Sequence, residues 1–201
     1  MPFLRRPTLS GTIMVGTILA LTTAMVTLTG CEDESNPSLF APACPRTDIP
    51  TGTADRFAYT GKDQDLRNLS GHVQITALSG DCSRGPDGPD KQKMVRTRVG
   101  LSFFIERGPA ATQDQVTIPY FVAIMQNGKI VDKKTFNDSF TMAPNVSTQT
   151  AKTELRLIDL PASENLQENP YTLEVGLQLT HDELDYNRKH PRPSAFRSNS
   201  Q

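Results

Sequence analysis

Tryptophan is absent from this chain and histidine nearly so: His72, His181 and His190 are the only three, far apart and at no spacing that ligates a metal together. Cysteine is scarce too. None of the three cysteines forms a C-x-x-C pair, which removes the usual zinc and redox signatures. There is no G-x-S-x-G elbow, no P-loop, no S-x-x-K and no G-x-G-x-x-G between strand and helix, so hydrolase and nucleotide-enzyme readings have no motif to rest on. A formal net charge of −1 leaves no basic footprint for nucleic acid. The expectation is therefore no nucleic-acid partner, no cofactor, no metal site and no catalytic residue.

Acidic residues are missing from the first 30 positions altogether. Arg5 and Arg6 supply a short positive segment, and the uncharged run from Gly11 to Thr27 is shorter than the ~20 residues of a membrane-spanning helix. That is the layout of a cleaved export signal, with its helix removed after use. It ends in Leu28-Thr29-Gly30-Cys31, which resembles the lipobox of bacterial lipoproteins, placed directly after the apolar run and directly before Glu32-Asp33-Glu34. The resemblance implies that the signal peptide 1–30 is removed and that Cys31, the new N-terminus, carries a thioether-linked diacylglyceryl group and usually a third, amide-linked chain. At ~0.8 kcal/mol per buried methylene, two or three chains hold a protein on a membrane. The domain then sits on the periplasmic side of the cell envelope, and Glu32 leaves inner or outer membrane open.

With Arg5 and Arg6 removed, 19 of the 21 basic residues face 22 acidic ones, and 171 residues are one domain's worth of chain. Cys44 and Cys82 remain, an even pair in a compartment that permits disulfides, and we expect them to bond. Residues 31–43 are acidic and then proline-containing, with little to bury, and read as a tether reaching at most ~40 Å.

From Asp55 onward the apolar period is two. Val95, Thr97, Val99, Leu101, Phe103 and Ile105 alternate with polar neighbours, as do Tyr171, Leu173, Val175, Leu177 and Leu179. Ile118 to Met125 is apolar on both faces and leads into Asn127-Gly128, a two-residue hairpin signal returning through Lys129 to Phe136. This turn predicts Ile124 opposite Val131 and Met125 opposite Ile130, in a buried central pair. Weaker strands are expected over Asp55 to Thr60, Gly71 to Ser79, Ser139 to Met142 and Thr150 to Asp159. Seven or eight strands in series point to an all-β antiparallel β-sandwich of immunoglobulin or fibronectin III character over 44–186, with a barrel as the alternative. The likeness is architectural only, since the chain has no tryptophan to pack on a cysteine pair.

His181-Asp182-Glu183-Leu184-Asp185 gathers one imidazole and three carboxylates, but it follows the last strand, where a polar exit turn or short helix capped near Thr180 is expected. The Asp- and Gly-rich loop from Gly80 to Asp90 lacks the spacing and terminal glutamate of a calcium loop and reads as a connection. Asn187 to Gln201 is basic, with two prolines and no acid, and reads as a disordered tail. Cys44-Pro45, Gly80-Asp81-Cys82 and Arg107-Gly108-Pro109-Ala110-Ala111 make the body similar to uncharacterised alphaproteobacterial lipoproteins, which implies compartment and no activity. The reading is a membrane-anchored, non-enzymatic binding or accessory module that meets an envelope protein or cell-wall component. The alternative is a small periplasmic enzyme with its site near His181.

Overall fold

A computed structural model describes residues 43–61, 63–163, 165 and 168–191. The expected leader, Cys31, the tether as far as residue 42 and the tail from residue 192 lie outside the described residues. Within them the chain forms β1 (Arg46–Asp48), β2 (Asp55–Tyr59), β3 (Leu69–Arg84), β4 (Met94–Arg107), β5 (Gln115–Gln126), β6 (Lys129–Thr141), β7 (Thr148–Lys152), β8 (Arg156–Pro161), β9 (Tyr171–Leu177) and α1 (His181–Lys189).

The strands build two sheets packed as a sandwich. One has the order β1-β9-β5-β6. The other runs β2-β3-β4, with β7 and β8 laid end to end along the free edge of β4. All pairings are antiparallel except β1 with β9. The alternation expected for β4 is borne out: Val95, Thr97, Val99, Leu101, Phe103 and Ile105 are all buried, and Val99, Leu101, Phe103 and Ile105 meet Ile118, Tyr120, Val122 and Ile124 of β5 and Leu173, Val175 and Leu177 of β9 in one core. Each such apolar side chain contributes about 1.5–3 kcal/mol by leaving water. Cys44 and Cys82 are joined in a disulfide with Cα atoms 5.6 Å apart, fixing the segment before β1 to the far half of β3.

Arg156 of β8 latches one sheet to the other. Its Nε donates to Tyr120 Oη at 2.7 Å, Tyr120 donates to Asp138 Oδ2 at 2.9 Å, and the Arg156 Nη2 closes the ring on Asp138 Oδ1. The Arg156 guanidinium also lies 5.0 Å above the Phe136 ring. Burial pushes the Tyr120 phenol up to about 12, which keeps it a neutral donor.

Several details depart from the sequence expectation: β3 runs on to Arg84, into the segment read as a connection, and β6 takes in the strand expected from Ser139. Asn127 and Gly128 make the turn, both with positive φ (51° and 72°), and Met125 does face Ile130. Ile124, however, faces Asp132, because the register shifts there and Val131 has no partner across the strand. The pair is not a buried centre either: β6 is the sheet's edge, every residue from Lys129 to Thr135 is exposed, and Lys129, Asp132, Lys133 and Lys134 are the charges that discourage further strand pairing. The expected strand from Thr150 to Asp159 is two strands, split where Thr153 bonds Leu101 through both its N–H and its hydroxyl. Finally, α1 continues through Lys189, past the boundary at 186, because Asn187 donates to the carbonyls of Gly52 (3.0 Å) and Asp55 (2.7 Å).

Gly176 explains how this flank closes. A Cβ there would lie 2.2 Å from Thr53 Oγ1 and 3.1 Å from the Phe121 ring, so only glycine lets the turn Thr51–Thr53 lie flat on the outer face of β9.

Candidate functional site

The two sheets part at the end farthest from the disulfide, where the loop from Arg107 to Gln115 crosses from β4 to β5. Gly108 N–H donates to Ser70 O and Ala110 N–H to Leu69 O, which pins the loop to the start of β3. Asp114 accepts from Arg107 Nη1 at 2.7 Å, and its carbonyl accepts from Met142 N–H at 2.8 Å. Between this loop and the strand ends lies a cleft of 240 Å³. Ala58, Val73, Ile105 and Met142 give it an apolar floor, while Arg56, Arg107, Thr112, Gln113 and Thr117 bring polar groups to it.

Arg107 continues the inward parity of β4, two residues beyond the buried Ile105. Its Nη1 is taken by Asp114, but Nε and Nη2 are buried and meet no acceptor among the described residues. Those two atoms form the side of a guanidinium that grips a carboxylate or phosphate with two parallel hydrogen bonds. A buried donor left without an acceptor costs on the order of 1–3 kcal/mol, more when charged.

Beside the cleft, strand register puts Phe57, His72 and Glu106 in one row across β2, β3 and β4. His72 is 6% exposed. Its Nε2 lies 2.9 Å from Asp55 Oδ1, its Nδ1 lies 3.5 Å from Glu106 Oε2, and the Phe57 ring stacks on it at 4.2 Å. Tyr186 of α1 meets the Phe57 ring edge-on. The helix reaches this site through its own cap: Thr180 and Glu183 form a reciprocal capping box, and Glu183 Oε1 accepts from Arg56 Nε at 3.0 Å. Both ring nitrogens of His72 thus face carboxylates, which fixes the ring between Asp55 and Glu106. Ser70 Oγ donates to the Ala58 carbonyl.

The sequence cluster at 181–185 is divided by the helix that forms from it. His181 has 84% of its side chain exposed and faces Asp185 one turn on, with Nε2 3.5 Å from Oδ2. Asp182 and Glu183 instead line a second cleft of 510 Å³ with Phe57, Tyr59 and Tyr186, to which His181 contributes nothing. Among the described residues no group of three or more His, Cys, Asp or Glu is placed to hold a metal ion, and no helix is long and apolar enough to cross a membrane. Sequence reasoning passed over Asp55, Glu106 and Arg107. The last carried a readable signal, an arginine on the inward parity at the end of the clearest strand. The other two gained meaning only from pairing between strands distant in sequence. No protein-family model matches the chain, and no curated protein matches it in sequence.

Proposed function

We propose that this chain is a lipid-anchored lipoprotein of the bacterial cell envelope, tethered through Cys31 on the periplasmic side, whose domain is a non-enzymatic binding module. Its binding site is the cleft at the loop end of the sandwich, and the ligand is an acidic group of an envelope protein or cell-wall component. The observation that carries the binding half is the buried, unpartnered Nε and Nη2 of Arg107 at that cleft. The anchoring half is supported by Leu28-Thr29-Gly30-Cys31 in its leader context and by the Cys44–Cys82 disulfide, a bond at home in an oxidising compartment.

A photo-crosslinking residue at Gln113, in the full chain expressed with its own leader, tests the site. One envelope component is expected to be captured, and Arg107→Met is expected to abolish the capture while His181→Ala leaves it intact. Capture indifferent to Arg107 overturns the assignment, and a phenotype that follows His181 restores the enzymatic alternative. Mass analysis of the N-terminus tests the anchor: an unmodified Cys31 ends that part.

A further inference from the structure

The search for a second surface leads to the opposite end of the molecule. Arg46, three residues after the first described residue, pairs with Thr172, Thr172 with Met125, and Met125 with Ile130, so a single transverse row links the start of the domain to the β5–β6 hairpin. Three strand spacings put Ile130 about 14 Å from Arg46. At that corner Ile130 and Val131 are 61% and 54% exposed, side by side on an edge strand that carries Lys129 and Lys133. Behind them, on the outer face of the sheet, is a groove of 420 Å³ with an apolar lining that includes Phe121, Ala123, Ile130 and Leu184. Lys133 stands at its rim with Nζ 4.3 Å over the Phe121 ring, Arg188 of α1 lines it from the other side, and Glu174 is its one acidic lining residue among those described.

We propose that this corner rests on the bilayer itself, with the apolar hairpin side chains at the headgroup boundary and the lysines on anionic phospholipid headgroups. The inference rests on the anchoring reading above. Three observations select the occupant. The first described residue, Ala43, comes three residues before Arg46 at the same corner, so the eleven residues between Cys31 and Ala43 join the domain there. That segment spans at most ~40 Å, which confines the corner to the neighbourhood of the membrane. The chemistry fits: the apolar pair follows Lys129 and precedes Asp132, Lys133 and Lys134, so three lysines outnumber the one carboxylate of this stretch at an interface in which each lysine or arginine near anionic lipid contributes ~1 kcal/mol. A soluble partner would need no such proximity to the tether.

Because the chain has no tryptophan, Val131→Trp introduces a unique fluorophore at an exposed position with no cross-strand partner. The full chain, lipidated and with Cys31→Ala, is added to vesicles of phosphatidylcholine with and without phosphatidylglycerol, some with brominated acyl chains. The expected result is blue-shifted emission quenched by bromolipid only where phosphatidylglycerol is present, reversed by salt. Without the reporter, Lys129→Glu with Lys133→Glu is expected to reduce flotation of the Cys31→Ala chain on anionic vesicles by roughly tenfold or more. An intact Cys44–Cys82 bond and native circular dichroism show that each variant folds. If the lipidated chain floats but the indole stays in water on both vesicles, the docking is overturned and the anchor stands. If Cys31 carries no lipid and the indole still enters anionic vesicles, the anchor falls and the docking stands.

Discussion

At one end of the sandwich Cys44 is bonded to Cys82 and the hairpin corner exposes isoleucine, valine and lysine; eleven residues along β5, about 36 Å away, Arg107, His72 and Glu106 surround a cleft. The first end is held by a covalent bond, beside which Arg98 pairs with Asp81 and Arg96 with Asp159 across strands. The second is held by a pinned loop, the Arg107–Asp114 pair and a buried histidine set between Asp55 and Glu106. The difference teaches where specificity resides. A covalent staple tolerates almost any surface around it, whereas the polar end depends on matched polar groups and leaves the buried Nε and Nη2 of Arg107 without an acceptor among the described residues. On the two proposals made above, the first end would meet a surface relatively indiscriminately and the second would select its ligand.

The largest effect expected from breaking this contrast is at the staple. Reduction, or Cys44→Ser, releases the 38-residue separation and should lower stability by ~4 kcal/mol in the loop-entropy picture. Urea denaturation with and without a reductant checks it, and an unchanged midpoint would mean that sheet register alone holds that end.

Next comes the polar end. Asp55→Ala leaves the buried His72 without its 2.9 Å partner and should cost about 2–3 kcal/mol. Adding His72→Phe, which keeps an aromatic ring stacked on Phe57, should recover part of that loss, since removing both partners strands neither. A double variant no better than the single one would show that the histidine is held by Glu106 and Phe57 independently of Asp55.

Between the ends, Gly176→Ala forces a methyl group against Thr53 and should cost ~1–3 kcal/mol, partly relieved by Thr53→Gly, which removes both the hydroxyl and the Cβ it would meet. Thermal unfolding of the single and double variants separates this from any loss of β-propensity.

How much of this was legible beforehand follows from the range of the interactions. Period-two alternation is local, so β4, β5 and β9 and their buried faces could be read directly, and the disulfide followed from counting cysteines. The Asn127-Gly128 turn is local as well, yet the bulge at Val131 was not, because an edge strand with one free side can accommodate an unpaired residue that a doubly paired strand would reject. The cleft was invisible for a different reason. Phe57, His72 and Glu106 come together through two strand pairings whose registers no single strand specifies, whereas the cluster at 181–185 forms the short helix capped by Thr180 that the sequence led one to expect. Local pattern therefore found the scaffold and missed the site.

The smallest expected effect on stability is also the most discriminating for the contrast between the ends. Arg107→Met keeps the length of the side chain and its apolar stem while removing the Nε and Nη2 that meet no acceptor, so the free domain should change by less than about 1 kcal/mol or become slightly more stable. The lost bond to Asp114 works against that gain, but Asp114 is partly exposed and can turn to water. If the guanidinium were simply structural, its removal would destabilise the loop from Arg107 to Gln115, and hydrogen exchange at Ala110 and Ala111 would quicken. If it is kept for a ligand, exchange stays as it was and capture through Gln113 disappears. Hydrogen exchange and crosslinking measured on the same variant thus separate a residue that holds the polar end together from one that the polar end holds for something else.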